Sequence, residues 1–316
     1  MNGPYLGVDT SNYTTSTALY FPDAPAMRQN KRLLPVKEGE LGLRQSDAVF
    51  HHTRQLPELL EGLLAAAGGP VRAIGVSEKP CEAEGSYMPC FLAGLGTARS
   101  LAAALRVPLH RFTHQQGHVA AAAYGAGCPE LLKGDFLAFH VSGGTTDALL
   151  VRPDPDGGIR CTLAASSLDL RAGQLIDRVG KALGLPFPAG PALERLALEA
   201  PRPQNPPRPV LRGADCSLSG VENQCERLRR DGAPAPQVAR FCLESVLAAV
   251  SGMTGALQRA YPGLPLLYAG GVMSNAFLRE ELSSRFGGRF APPAFSADNA
   301  AGAALLCALR EKGGRL

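Results

Sequence analysis

The chain reads as an α/β protein of two lobes, on three observations. Strand-like and helix-like segments alternate along it. Its 316 residues are about twice a typical single-domain length. Two segments, GVDTSNYTTSTALY and HVSGGTTDALLV, share one design: a strand, a turn rich in small hydroxylated residues, and a returning strand. Two such hairpins point to a duplicated fold with a ligand between the halves.

The elements follow in order. YLGVDTSN is a strand entering a tight turn, and STALYF is the strand after it. Residues 47–67 carry Leu and Ala at helical spacing and stop at Gly68-Gly69. AIGVS (73–77) is a short buried strand, 91–107 a small-residue helix, and VPLHRF another strand. HQQGHVAAAAYG (114–125) is a helix ending at Gly, and 136–151 a hairpin around Gly143-Gly144. Helices at 169–184 and 238–261 dominate the second half, with a Pro-dense surface excursion at 201–209 that no helix interior tolerates. The strand LPLLYAGGV, the helix MSNAFLREELSSRFG and the helix SADNAAGAALLCALR complete the order.

Composition narrows the class of function. With 45% apolar and 19% charged residues the chain is too apolar and too balanced to be disordered. No run approaches the roughly 18 apolar residues of a membrane span, and MNGPYLGVDTSN lacks the pattern of a secretory leader. A cytoplasmic protein with no membrane role is the expectation. The net charge of +4 rests on Arg far more than Lys, densest in RLRR (227–230) and beside Arg202, Arg208 and Arg212. A solvated surface run and an RNA-facing patch both remain open. The eight cysteines include no C-x-x-C pair, so buried or free thiols are expected, with Cys81 and Cys90 bracketing a loop.

Four places bear chemistry. The two hairpin turns combine Gly with Ser and Thr, which lets backbone N–H groups approach a phosphate; neither matches the P-loop pattern. AGGVMSN (269–275) ends a strand in Gly-Gly before a helix, where Asn275 either binds a nucleotide or simply caps the helix. His114 and His118 stand at i and i+4 on one helical face, a ligand spacing for a transition metal and also a spacing that unrelated histidines adopt. Gln115 occupies the place of a zincin's general base, which removes a metallopeptidase from consideration. Asp298 supplies a third ligand or an N-cap.

Taken in order, the Asp-bearing hairpin, H-x-x-x-H, the SGG hairpin, GG-V-x-x-N and the late D-N-A-A resemble the TsaD/Gcp family, the tRNA N6-threonylcarbamoyladenosine synthases. VFHHTRQLP (49–57) and DCSLSGVE (215–222) extend the resemblance over nearly the whole chain. It implies an actin/Hsp70-like fold of two lobes, each on an RNase H-like core. The first lobe is expected at 1–112, completed by 297–316, and the second at 113–296, with the metal and nucleotide between them. The resemblance also implies His114, His118 and Asp298 as ligands of one transition metal, iron or zinc. It places the phosphates of an adenine nucleotide or acyl-adenylate at Val141, Ser142, Gly143, Gly144 and Thr145, and its ribose and base at Asp177, Gly190 and Asn275, with Ser11 as a further substrate contact. It implies transfer of a threonylcarbamoyl group from its adenylate to a tRNA adenosine, with tRNA and the subunits of a tRNA-modification complex as partners.

Four places depart from the family pattern. Its acidic pair in the first turn is replaced by Tyr13 and Thr14, leaving Asp9 as the catalytic candidate. H-x-E-G-H has become HQQGH, with Gln116 for Glu; SGGHT has become SGGTT, with Thr145 for His; and the Gly-rich G-P-G-L-x-G-x-L stretch has become KPCEAEGSYMPCFLAG. A paralogue acting on a different carbamoyl-type acceptor, and a non-catalytic nucleotide-binding regulator, are therefore alternatives to the tRNA enzyme.

Overall fold

The structure, a computed structural model, describes residues 3–11, 13–24, 26–35, 43–296 and 300–314. The chain forms two compact units. The first comprises residues 1–135, 151–161 and 294–316, the second 136–150 and 162–293.

The first unit opens with β1 (Tyr5–Asp9), β2 (Thr14–Phe21) and β3 (Ala26–Leu33), then α1 (Gln45–Leu64), β4 (Ile74–Lys79), α2 (Phe91–Leu105), β5 (Leu109–Thr113) and α3 (His114–Gly125). The sheet runs β3-β2-β1-β4-β5, with β1, β2 and β3 antiparallel and β4 and β5 added parallel to β1. β1 is buried along its whole length, because Leu6 and Val8 meet α1 and α2 while its other face meets a helix from far along the chain. β3 is the opposite case. AMRQNKRL is polar and largely exposed, an edge strand whose Arg32 pairs with Glu58 at 2.6 Å. The sequence reading gave no strand there, because a charged edge carries no hydrophobic alternation.

The second unit contains β6 (Phe136–Val141), β7 (Thr146–Pro153), β8 (Ile159–Ser166), α4 (Ala172–Ala182), α5 (Gly190–Leu198), β9 (Val210–Arg212), β10 (Asp215–Ser217), α6 (Ser219–Arg230), α7 (Ala235–Ala260), β11 (Leu266–Ala269), α8 (Ala276–Phe286) and β12 (Arg289–Phe290). The tip of the β7–β8 hairpin, 151–161, counts with the first unit. The sheet order is β8-β7-β6-β11-β12, the same as in the first unit position for position. α7 is long and apolar enough by composition to cross a membrane, contrary to the expectation that no segment reaches that length. Here it is the core helix of its unit, with Val246, Leu247, Val250 and Met253 buried and its Arg240 paired to buried Glu244 at 3.0 Å.

After the short α9 (Pro293–Ser296), α10 (Ala301–Glu311) packs on β1, β2, β4 and α3 of the first unit. Its residues 301–309 are all buried, which explains the continuous run AGAALLCAL. The approach to α3 requires glycine: a Cβ on Gly302 would overlap the Gly117 carbonyl. That crossing places α3 in the first unit, beyond the boundary at 112 expected from the sequence.

None of the eight cysteines, all among the described residues, forms a disulfide. Among the described residues, three of the six clustered arginines make ion pairs: Arg229 and Arg230 with Glu226 at 2.9 and 3.4 Å, and Arg202 with Glu244 and Glu281 at 2.9 and 2.6 Å.

Candidate functional site

In the first unit the chemistry gathers where β1 ends and α3 begins. Asp9 is the last residue of β1 and is 1% exposed. Its Oδ2 lies 2.8 Å from His114 Nδ1, and its Oδ1 accepts from the Ser11 N–H at 2.9 Å. Burial works against a charge on Asp9, but the facing His114 and the hydrogen bonds around the carboxyl outweigh it, holding Asp9 below the usual carboxylate range. The carboxylate faces Nδ1, which in a neutral ring makes Nε2 the acceptor nitrogen, the form in which an imidazole binds a transition metal. The rings of His114 and His118 meet edge to face with centroids 4.2 Å apart, as their spacing on one helical face requires.

Among the described residues no group of three His, Cys, Asp or Glu side chains assembles a metal site. The expected third ligand, Asp298, lies outside the described residues. Ser11 is buried, and its Oγ has no hydrogen-bond partner among the described residues. Tyr13 precedes β2 and Thr14 opens it: the Tyr13 carbonyl accepts from the Leu34 N–H at 2.8 Å, and Thr14 is buried.

Behind this turn, His52 of α1 is fully buried. The Thr15 hydroxyl donates to Gln55 Oε1 at 2.7 Å and lies 2.8 Å from His52 Nδ1, so His52 donates Nδ1–H to it. Its Nε2 is buried without a hydrogen-bond partner. Burial lowers the His52 pKa to about 4, so the ring is neutral at physiological pH.

In the second unit one cavity of about 480 Å³ draws together distant segments. It is lined by Gly143 from the β6–β7 turn, Asp177 from α4, Gly190 at the start of α5 and Asn275 at the start of α8. That volume lies within the range of small-molecule and cofactor sites, about 300–1,000 Å³. The turn above it is self-contained, with Ser142 N–H to Thr145 O at 2.7 Å and Thr145 N–H to Ser142 Oγ at 3.2 Å. Gly143 and Gly144 are exposed, with open space where a Cβ would stand. Of the remaining hairpin residues, Val141 is buried at the end of β6, and its carbonyl presses on Gly270, whose φ of +100° only glycine takes easily.

Two of the cavity's polar residues also hold the backbone. Asp177 Oδ1 accepts from the Ala189 N–H at 2.8 Å, and Asn275 Oδ1 caps α8 by accepting from the Leu278 N–H at 2.9 Å. The sequence reading posed capping and binding as rivals for Asn275; the side chain caps and lines the cavity at once. The reading missed Glu194, which lines the cavity and accepts from the Ala276 and Phe277 N–H groups at 2.7 and 3.3 Å. It also missed Phe187, 84% exposed on the same wall. An aromatic set between two prolines, in PFPAGP (186–191), was the available signal.

The two sheets of one strand order define a duplicated RNase H-like, actin/Hsp70-type protein. Solved structures share that fold at low identity: full-length HypF in its phosphate- and nucleotide-bound form (TM-score 0.57, 11% identity, 98% of this chain and 56% of that one) and component A of the Acidaminococcus fermentans (R)-2-hydroxyglutaryl-CoA dehydratase (0.54, 12%, 99% and 100%). Within that class, the profile of the family "TsaD: tRNA N6-adenosine threonylcarbamoyltransferase" matches residues 38–305, and the chain belongs to this family of transferases. Enzymes named tRNA N6-adenosine threonylcarbamoyltransferase from Thermus thermophilus (31% identity over 312 residues, 98% of this chain and 93% of the relative) and Methanopyrus kandleri (31% over 268, 82% and 74%) are among its relatives.

Proposed function

We propose that the protein transfers a threonylcarbamoyl group from its adenylate to the N6 amine of a tRNA adenosine. The observation that carries this is the second-unit cavity, where a Gly-rich turn, a carboxylate and a helix start converge on a nucleotide-sized space. In this reading the phosphate lies at residues 141–145, where exposed Gly143 and Gly144 offer their backbone, and the sugar and base lie by Asp177, Gly190 and Asn275. Asp177 accepts from ribose hydroxyls, as acidic residues do in other nucleotide sites. The C–N bond forms as the C–O bond of the mixed anhydride breaks, the N6 amine gives up one proton to solvent, and AMP leaves as the anion. The protein contributes chiefly by positioning.

The donor set at α3 fits a transition ion of the iron or zinc type. His114 and His118 would hold it, with Asp298 completing the set by family motif. Such an ion supplies Lewis acidity toward phosphate and carbonyl oxygens. Asp9 then orients His114 rather than serving as a free base, since both its oxygens are engaged. Transfer still depends on Asp9, through that orientation.

A second reading, a different carbamoyl-type acceptor, draws on the first turn, where Tyr13 and Thr14 bring no charge and Asp9 is committed to His114. One experiment separates the two. The protein is incubated with threonylcarbamoyl-adenylate and unmodified tRNA, with and without partner subunits, and the nucleosides are read by mass spectrometry. Modified adenosine that disappears in Asp177→Ala supports the tRNA reading. Bound adenylate with no modified adenosine overturns it in favour of another acceptor.

A further inference from the structure

Gln116, buried between His114 and His118 in the sequence, uses both ends of its amide. Oε1 accepts from the Thr113 N–H at 2.7 Å, while the Gln116 N–H donates to Thr113 Oγ1 at 3.1 Å, a reciprocal cap on α3. Nε2 donates to Glu82 Oε1 at 2.8 Å and to the Ile159 carbonyl. The same Glu82 oxygen accepts from the Cys161 N–H at 3.4 Å. The backbone adds a second tie, Gln115 N–H to Pro80 O at 3.0 Å. At the far end of this segment, Thr10 Oγ1 donates to the Cys90 carbonyl at 3.0 Å, and the Phe91 ring lies 6.1 Å from that of His114. Residues 80–91 are thus fastened at one end to the start of the histidine-bearing helix, and at the other to the residue after Asp9.

We infer that Gln116 and Glu82 are a matched positioning pair that sets the seat of His114 and His118, in place of the Glu and the Gly-rich stretch of the family pattern. A carboxylate at position 116 would keep the cap but would have no N–H to give. It would face the Glu82 carboxylate and the Ile159 carbonyl, three acceptors with no donor among them, an arrangement burial makes costly. The amide at 116 and the acid at 82 therefore belong together, although 34 positions separate them. The inference rests on the reading that His114 and His118 bind a metal.

The test titrates the full-length protein with Co²⁺, followed by visible absorption, beside thermal melts. Gln116→Glu is expected to weaken Co²⁺ binding about tenfold or more, in line with changes to groups that support metal ligands. Adding Glu82→Gln to it is expected to restore most of the loss, because the amide at 82 then donates to the carboxylate at 116. Restoration by a second change is what a role in general stability would not give. Unchanged affinity in Gln116→Glu, or a loss that Glu82→Gln fails to repair, overturns the pairing. His118→Ala tests the underlying reading separately: if Co²⁺ binding survives it, the metal site falls; if binding is lost there but Gln116→Glu is silent, only the pairing falls. Should Gln116→Glu not fold, Glu82→Ala removes the partner without adding a charge. It is then expected to weaken Co²⁺ binding several-fold at an intact melt, and unchanged affinity overturns the pairing.

Discussion

The β1–β2 turn and the β6–β7 turn stand at the same place in two sheets of the same strand order, yet they are built for opposite purposes. In the first, Asp9, Thr10 and Ser11 are buried, and Asp9 and Thr10 are spent on the protein itself: Asp9 on His114, Thr10 on the Cys90 carbonyl and the Gly94 N–H. In the second, Ser142 and Thr145 bond to each other, and the two glycines between them face open space. One turn organises side chains and the other offers bare backbone. A duplicated framework has kept its strand order while its two equivalent corners differ in what they expose.

The contrast predicts unequal costs of mutation. The largest stability loss is expected from Asp9→Ala, which strands the Ser11 N–H and the His114 ring in a buried site. Unpaired buried groups cost about 1–3 kcal/mol, and a denaturant melt should show a loss of that size together with loss of transfer. An intermediate effect is expected on acidification. In the unfolded chain His52 takes a proton below its ordinary pKa of 6.5, whereas in the fold it resists protonation until about pH 4. Stability should therefore fall progressively as pH drops from 6.5 toward 4, and His52→Gln should remove that part of the slope in melts across the window. The smallest stability change is expected from Gly144→Val, within about 0.5 kcal/mol, because nothing occupies the space its side chain would enter. Its adenylate affinity should nonetheless collapse in calorimetry. A Gly144→Val protein that melts early, or one that binds normally, would erase the distinction between the corners.

Much of this was legible in the sequence. The helix at 114–125 matches α3 residue for residue, because Thr113 and Gln116 cap its start and Gly125 lies at its end. The two hairpins announced the duplication through their shared pattern of small hydroxylated residues. What escaped lies in edges and long-range pairs. β3 carries no apolar alternation, since it is an edge strand with exposed polar positions, whereas β8 alternates only briefly, with Ile159 and Cys161 buried beside exposed Arg160 and Thr162. The partnership of Asp9 with His114 spans 105 positions, and no local spacing encodes it. Glu194 and Phe187 likewise reach the cavity only because α4, α5 and the segment before α8 converge there.

The return of α10 has a consequence for the order in which the molecule matures. The second unit is drawn from residues 136–150 and 162–293, so its core is available before α10 has been synthesised. The first unit, although translated earlier, keeps the β1 and β4 face and the flank of α3 uncovered until residues 301–309 arrive. Domains generally fold as units during synthesis, N-terminal first. Here the first unit, though it begins first, needs residues that come after all of the second. The seat of His114 therefore depends on α10, which follows in the chain the segments that form the nucleotide-sized cavity.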